Sequence, residues 1–220
     1  MTWVKICGIT NLEDALTAVA AGADALGFVF YEKSPRYIDP SAAREIVSKL
    51  PANVQKVGVL VHQREDTICG LAKEVGLTAV QLHGDNEDPR LADLLVKRRP
   101  DLKVLVGISM QRPTPERWAM MWNPEVVWAF LVDSSNSSRL GGTGKIFDWQ
   151  RGRSGIEVIA TLGRVVVAGG LTPGNVAEAM RILEPWGVDV ASGVEGRPGK
   201  KDPEKVRAFV TAVRETDKVH

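Results

Sequence analysis

Two residues, each the last of an apolar run, could act together as a base and an acid. Cys7 ends the run in VKIC, directly before Gly8, and Asp133 ends the run in AFLVD. Cysteine is most often a small core hydrophobe, but a thiol just ahead of a helix N-terminus lies in a field that favours the thiolate. A carboxyl group at the end of a buried strand is partly desolvated, which raises its pKa and suits it to donate a proton. The alternative for Asp133 is an Asx turn that only caps the residues after it.

Glycine-rich stretches follow the last three apolar runs of the chain. They are LGGTGK, VAGGLTPGN and ASGVEG. One such stretch is weak evidence, since glycine also serves tight turns. Three of them after successive runs predict a phosphate site made of backbone N–H groups, of the kind that follows the last strands of a (β/α)8 barrel.

Further polar residues stand at the ends of apolar runs or in the loops after them. They are Arg36, His62, His83, Asp189 and Ser192. Arg36 is either a solvated surface charge or a planar fork that binds a substrate carboxylate. His62 and His83 could bind a metal with Asp133 or Cys7, yet no pair of these residues has the local spacing of metal ligands. We therefore predict a site without a metal.

The elements that would position these residues alternate along the whole chain. Nearly continuous apolar runs, typical of strands buried on both faces, begin at Val4, Ala25, Lys56, Ala79, Lys103, Val126, Val165 and Val188. Helical periodicity falls between them, at 12–21, 42–50, 67–75, 89–96, 176–183 and 204–213. This α/β pattern predicts a single (β/α)8 TIM barrel domain over residues 1–220, whose active site lies at the C-terminal ends of the strands. An open doubly wound sheet is the alternative, but no Gly-x-Gly-x-x-Gly motif follows the first run.

Capping signals mark several helix starts. The stretch TNLE, residues 10–13, is a capping box, and Asp39, Thr172 and Asp202 each precede a proline that would open a helix. The segment 134–163, by contrast, is rich in serine and glycine, has little helical pattern and is longer than ordinary barrel loops. We expect a loop of this length to serve the site.

The composition excludes several classes of protein. Of the 220 residues, 44% are hydrophobic and 25% are charged, and the net charge is +1. Because the chain has no long apolar run and no basic stripe, neither a membrane nor a nucleic acid is expected as a partner. Two cysteines and an N-terminus without an export signal fit a reducing compartment, so we predict a cytoplasmic protein.

A set of motifs, in order along nearly the whole chain, makes the pattern specific. They are KICGIT, GFVFYEKSPRYI, VQLHG, LVDSS followed by GGTGKIFDW, VAGGLTPGNV and VASGVEGRPGKKD. Together they resemble the phosphoribosylanthranilate isomerase family of tryptophan biosynthesis. The resemblance implies a (β/α)8 barrel enzyme, an aldose-ketose isomerase that needs neither a metal nor an organic cofactor. Its expected reaction is the Amadori rearrangement of N-(5-phosphoribosyl)anthranilate to 1-(2-carboxyphenylamino)-1-deoxyribulose 5-phosphate.

The resemblance also implies roles for individual residues. It makes Cys7 the general base that removes the C2 proton of the ribose, and Asp133 the general acid that protonates the ring oxygen. It places Arg36 against the anthranilate carboxylate, and we expect His83 and Asp189 to contact the substrate. The phosphate is expected on the backbone around Gly141, Gly142, Gly144, Gly169, Gly170, Ser192 and Gly193.

Other functions stay open at this point. A metal-dependent sugar-phosphate epimerase on the same barrel could use His62, His83 and carboxylates as ligands. A non-catalytic module could sense a phosphorylated metabolite with the glycine-rich loops, and a broader isomerase could also serve histidine biosynthesis. In each case the expected partner is a small phosphorylated molecule. The sequence fits a monomer or a homodimer.

Overall fold

Eight parallel strands close into a barrel in the computed structural model, which describes residues 1–84, 87–134 and 147–218. Each strand pairs with the next along the chain, and β8 returns to pair with β1. The strands are β1 (Trp3–Cys7), β2 (Ala25–Val29), β3 (Gln55–Leu60), β4 (Ala79–Leu82), β5 (Lys103–Ser109), β6 (Val127–Asp133), β7 (Val165–Val167) and β8 (Gly187–Val190). The predicted (β/α)8 barrel is confirmed, and every strand of the barrel begins within one residue of its predicted start.

Helices follow the strands and cover the outside of the barrel. In the described ranges they are α1 (Leu12–Ala21), α2 (Pro40–Val47), α3 (Glu65–Val75), α4 (Arg90–Arg98), α5 (Pro115–Ala119), α6 (Trp149–Ala160), α7 (Val176–Leu183) and α8 (Pro203–Asp217). A 3-10 turn (Ser192–Val194) and a hairpin of β9 (Glu195–Arg197) and β10 (Lys200–Lys201) lie between β8 and α8. None of these helices is both long and apolar enough to cross a membrane.

The helical pattern of the sequence misses α5 and α6. The helix α6 contains Gly152 and Gly155, which lower helix propensity, and it buries only three of its 12 side chains. Asp148 nevertheless caps its start by accepting a hydrogen bond from the backbone N–H of Arg151. Packing against α5 and α7 then stabilises it. The prediction of a segment with little helix is therefore wrong for residues 149–160.

The predicted caps are confirmed at two helices and wrong at two. In α2 and α8 an aspartate precedes the first proline and accepts hydrogen bonds from the backbone N–H groups of the first turn. At α1 the cap is Asn11, because the hydroxyl of Thr10 instead donates to the carbonyl of Gly199. At α7 the helix begins only after Asn175, whose side chain accepts a hydrogen bond from the backbone N–H of Thr172.

Side chains along each strand alternate between the helix layer and the barrel interior. In β1, Val4 and Ile6 pack in the large core between strands and helices, whereas Trp3 and Cys7 belong to clusters inside the barrel. Lys5 lies between these two and also faces the interior, where it meets a residue of β8. Because both faces of the strands are buried, the runs in the sequence are nearly continuous rather than alternating.

An aromatic cluster closes the barrel at the N-terminal ends of its strands. Trp3 stacks on Trp186, and Trp128 meets both rings edge to face. Lys103 lies over the ring of Trp128, and Arg164 lies over the rings of Trp128 and Trp186. This packing stabilises the N-terminal end of the barrel, and the candidate site lies at the opposite end.

Candidate active site

A cavity opens at the C-terminal ends of the strands. The space within it, including the part open to solvent, is about 720 Å³. Many of the residues predicted for the site line it: Cys7, Arg36, His83, Asp133, Gly169, Gly170, Asp189 and Ser192. Gly193 follows Ser192 directly in the chain but is not part of this lining. Gly141, Gly142 and Gly144 lie outside the described residues.

Cys7 ends β1 on the wall of the cavity and is 8% exposed. Its thiol occupies the space above Gly27 of β2, where an added Cβ atom would lie 2.7 Å from Sγ. Burial raises the pKa of the Cys7 thiol, while the charge of Lys5 opposes that shift and the charge of Asp189 adds to it. The expectation that a helix N-terminus favours the thiolate is wrong, because α1 begins only at Leu12 and has two acidic residues in its first turn.

A buried ion pair lies next to the Cys7 thiol. Lys5 Nζ is 2.8 Å from Asp189 Oδ1, and the Lys5 side chain has no exposed surface. The Lys5 side chain also lies beside the thiol, since a Cβ atom built at Gly27 would lie 3.1 Å from Lys5 Cε and 2.7 Å from Cys7 Sγ. Burial alone would lower the pKa of Lys5, but the charges of Asp189 and Cys7 outweigh it and raise that pKa. Asp189, predicted as a substrate contact, therefore gives one carboxylate oxygen to Lys5.

Asp133 ends β6 on the same cavity and is 8% exposed. Its Oδ1 lies 3.5 Å from the hydroxyl of Ser134, which donates to it. Gly169 approaches both side chains so closely that a Cβ atom there would overlap them. The φ of Gly169 is 85°, a conformation that favours glycine. Glycine at position 169 thus allows the chain after β7 to pass close to Asp133.

Arg36 is held by a second buried ionic cluster. Its Nε and Nη2 donate to Oε1 and Oε2 of Glu195 at 2.9 and 2.7 Å, and Lys201 Nζ lies 3.0 Å from the same Oε1. Burial disfavours the Glu195 carboxylate, but the hydrogen bonds from Arg36 and the charge of Lys201 outweigh it and hold its pKa below the usual range. Within the described residues nothing bonds to Nη1 of Arg36. A bound carboxylate would therefore meet the end of the guanidinium and not the edge that faces Glu195.

The two histidines occupy different places. His83 lines the cavity, with Nδ1 3.3 Å from Nε2 of Gln81. His62 lies outside the lining, and its half-exposed ring has Nδ1 3.5 Å from Oε1 of Glu87. Across the described ranges, no three histidine, cysteine or carboxylate side chains are grouped closely enough to hold a metal ion. The ligand set of the epimerase alternative therefore finds no support in this geometry.

The loops after β7 and β8 present backbone to the cavity. Gly169 and Gly170 both have positive φ, and Gly193 packs so tightly on the carbonyl of Leu171 that a Cβ atom would overlap it. Ser192 begins the 3-10 turn after β8. Glycine at these positions lets the main chain run close to the cavity and to itself, as a phosphate site made of backbone N–H groups requires.

Several polar residues at or near the cavity escaped the sequence analysis, among them Lys5, Gln81, Glu195 and Lys201. Gln81 is buried in the cavity wall, and among the residues that the structure describes its Oε1 has no hydrogen-bond partner. Lys5 and Gln81 do carry a signal, since each is a polar residue inside an apolar run and precedes a predicted site residue by two positions. Glu195 and Lys201 lie in a short hairpin and carry no local signal.

The cavity thus combines groups with complementary chemistry. A thiolate at Cys7 can remove a proton from a bound molecule, and a carboxylic acid at Asp133 can supply one. Arg36 and the backbone of two loops can bind anionic groups. Such a set suits an acid-base reaction of a small molecule with at least one anionic end.

Comparison with known proteins decides among the possible families. The family model for N-(5'-phosphoribosyl)anthranilate (PRA) isomerase matches residues 4–212. The chain belongs to this family. A PRA isomerase from Geobacter sp. (strain M21) is 49% identical over 216 residues, covering 97% of this chain and 98% of the relative. One from Citrifermentans bemidjiense is 48% identical over 214 residues, again covering 97% of this chain and 98% of the relative.

Solved structures of PRA isomerases share the whole barrel. The enzyme from Thermotoga maritima is 40% identical and has a TM-score of 0.87, covering 98% of this chain and 100% of that one. A PRA isomerase in complex with reduced 1-(o-carboxyphenylamino)-1-deoxyribulose 5-phosphate is 38% identical, with a TM-score of 0.84 and the same coverage. The predicted family is confirmed, and these relatives support the isomerase rather than the epimerase.

Proposed function

We propose that the chain converts N-(5'-phosphoribosyl)anthranilate to 1-(2-carboxyphenylamino)-1-deoxyribulose 5-phosphate, without a metal or an organic cofactor. The observation that carries this proposal is that Cys7 and Asp133, at the ends of β1 and β6, line one cavity together with Arg36. Membership of the PRA isomerase family supports it. The solved relative bound to a reduced form of that product supports it as well.

Asp133 and Cys7 act in sequence in this reaction. The carboxylic acid of Asp133 protonates the ring oxygen of the ribose, the bond from C1 to that oxygen breaks, and an iminium forms between C1 and the anilino nitrogen. The iminium acidifies the C–H group at C2, and the Cys7 thiolate removes that proton. The resulting enol tautomerises to the ketone as C1 takes up a proton and the 2-hydroxyl group loses one. One proton leaves Asp133 and one reaches Cys7 in each turnover, and exchange with solvent restores both groups.

The remaining residues hold the two anionic ends of the substrate. The end of the Arg36 guanidinium binds the anthranilate carboxylate while Glu195 fixes the rest of the fork. His83 and Asp189 contact the sugar from opposite sides of the cavity wall. The phosphate lies on the backbone around Gly141, Gly142, Gly144, Gly169, Gly170, Ser192 and Gly193.

The proposed enzyme is cytoplasmic and has this small molecule, not a nucleic acid, as its partner. A solved relative, 39% identical, is a generated monomer of the dimeric isomerase from Thermotoga maritima. For this chain, monomer and homodimer both stay predictions. Light scattering on the purified protein would distinguish them.

The test is a fluorescence assay of substrate turnover. Adding the protein to N-(5'-phosphoribosyl)anthranilate should remove the fluorescence of this substrate. We expect Cys7→Ser and Asp133→Asn each to lower kcat by about 10²–10⁴-fold, the usual contribution of a general acid or base. Cys69→Ala is the matched control, because this second buried thiol packs in the helix layer away from the cavity.

Two outcomes would contradict the proposal at different levels. Full activity of both site variants would reject the roles of Cys7 and Asp133 while leaving the reaction intact. No loss of fluorescence with the folded wild-type protein would reject the reaction itself.

A further inference from the structure

We propose that Lys5 is a positioning residue for Cys7, whose buried ammonium, held in place by Asp189, stabilises the thiolate that acts as the base. This inference rests on the proposed function of Cys7. Lys5 is not among the residues that line the cavity. Its effect on the reaction is expected to pass through the thiol alone.

The strand geometry brings the three side chains together. Lys5 and Cys7 are two residues apart on β1, so both point into the barrel. Lys5 pairs in register with Asp189 of β8, and Cys7 pairs in register with Gly27 of β2. A Cβ atom built at Gly27 would lie 2.7 Å from Cys7 Sγ and 3.1 Å from Lys5 Cε, which shows that the two side chains share the space above this glycine.

The ammonium is paired with a carboxylate, and its side chain lies beside the thiol. Lys5 Nζ is 2.8 Å from Asp189 Oδ1, and the Lys5 side chain shares the space above Gly27 with Cys7 Sγ. The interior next to the strand starts is apolar, with residues such as Val57 and Leu105. A buried ion pair adds little stability over apolar packing of similar volume. Structure alone therefore gives little reason for a lysine at this position, whereas an adjacent thiolate gives a clear one.

The charges around the thiol make Lys5 the main stabilising cation. From β8, Asp189 disfavours a second negative charge. From β10, Lys201 favours the thiolate, but its ammonium is already bonded to Glu195 and to the carbonyl of Ala191. Arg36 and Asp133 face the same cavity from the loop after β2 and from the end of β6. Of the described basic residues around the thiol, Lys5 combines full burial with a position beside Cys7 Sγ, and its charge favours the thiolate more than that of Lys201 does.

The test measures how readily Cys7 forms a thiolate, independently of turnover. In a Cys69→Ala background, the rate of alkylation by iodoacetamide is followed across pH, so that only Cys7 reacts. We expect Lys5→Met to slow alkylation at neutral pH by about tenfold or more, the effect of one pKa unit, and to keep the limiting rate at alkaline pH. Lys56→Met is the matched control, because Lys56 is another buried lysine on a barrel strand but bonds to the carbonyl of Pro51 instead.

A double variant keeps the test decisive if Lys5→Met leaves Asp189 buried without its partner and fails to fold. Lys5→Met with Asp189→Asn removes both charges of the pair. We expect its alkylation rate at neutral pH to lie between those of the parent and Lys5→Met, and Lys5→Arg to restore much of the parent rate.

The results separate this inference from the proposed function. If Lys5→Met, or the double variant where the single one does not fold, reacts with the same pH profile as the parent, the inference is wrong. A change in the limiting rate alone would indicate altered access to the thiol and would overturn it too. If the profile moves as expected but the wild-type protein turns over no substrate, the inference about the thiol stands and the proposed function fails.

Discussion

The two ends of the barrel differ in where their charged side chains lie: over an aromatic cluster at one end, and buried beside a cavity at the other. At the N-terminal ends of the strands, Trp3, Trp128 and Trp186 fill the interior, and Lys103 and Arg164 lie over the outer rings. At the C-terminal ends, two ionic clusters are themselves buried, and a cavity lies among them. The first arrangement stabilises the fold at little electrostatic cost, whereas the second is costly unless each charge has a partner.

Glycines make room for side chains at both ends of the barrel. At the C-terminal end, the side chains of Cys7, His83 and Asp133 each occupy space above a glycine of the next strand or of its following loop. The glycines are Gly27, Gly107 and Gly169, in that order. At the aromatic end, Trp3 packs in the same way on Gly187 of β8, where an added Cβ atom would lie 3.0 Å from Trp3 Cε3. The two ends therefore differ in what the glycines admit: functional groups at the cavity and an indole ring at the aromatic end.

The largest effect on stability is expected at the aromatic end. Trp3→Ala removes a buried ring that packs on two other tryptophans, and should lower the free energy of unfolding by about 3–5 kcal/mol. Because the cavity lies at the far end of the strands, kcat/KM per folded molecule should stay close to the wild-type value. Chemical denaturation and the fluorescence assay measure the two quantities. A large loss of kcat/KM in the folded variant would show that the two ends are not separable.

The next largest effect is expected from a small change at the cavity end. In Gly169→Ala the new Cβ atom would overlap Asp133 and Ser134, and a displacement of the acid by about 1 Å should lower kcat by roughly 100-fold. Gly174→Ala in the same loop is the control, since its Cβ atom would meet only Thr172 Oγ1 at 3.8 Å. Equal kcat values in the two variants would argue against a tightly positioned Asp133.

A moderate effect is expected when the partner of Arg36 is weakened. Glu195→Gln replaces two charge-assisted hydrogen bonds to the guanidinium with weaker ones, and should raise KM by about tenfold through a misplaced Arg36. We expect kcat to change less, because neither the acid nor the base is touched. Glu204→Gln on the exposed start of α8 should leave KM unchanged. A KM equal to that of wild type in Glu195→Gln would remove the orienting role of Glu195.

The smallest effect is expected at the other thiol. Cys69 is buried in α3 among helix-layer residues, so Cys69→Ala should lower the free energy of unfolding by only about 1–2 kcal/mol. The fluorescence assay should give an unchanged kcat/KM. A loss of activity here would show that the helix layer transmits changes to the cavity.

The sequence was sufficient for the barrel because its signals are repeated in every unit. Continuous apolar runs locate the eight strands of the barrel, since both faces of these strands are buried. The helix α6 was missed because Gly152 and Gly155 weaken the local pattern and tertiary packing compensates. A local sequence pattern carries no information about the packing of α6 against other helices.

The sequence predicts the site residues that end strands. It does not predict the residues that pair with them from distant parts of the chain. Cys7 and Asp133 stand out because strand ends meet at one face of a barrel. The prediction for Cys7 was wrong about its environment, because its burial depends on neighbouring strands and the cation beside it is Lys5 of the same strand rather than the start of the adjacent helix. Glu195 lies 159 positions from Arg36 in the chain, so no local pattern could show that the two form a pair.

The central claim, that the Cys7 thiolate is the base, is tested most directly by the pH dependence of kcat/KM. Because Asp133 must carry a proton while Cys7 must lose one, the ratio of the wild-type kcat/KM to that of Cys7→Ser isolates the ionisation of the thiol. Burial raises the pKa of this thiol, so the ratio should rise about tenfold per pH unit up to a midpoint above the usual thiol range. Asp133→Asn, which lacks the acid, should show this rise directly in its own kcat/KM, at a lower rate. A ratio that does not change with pH would contradict the account.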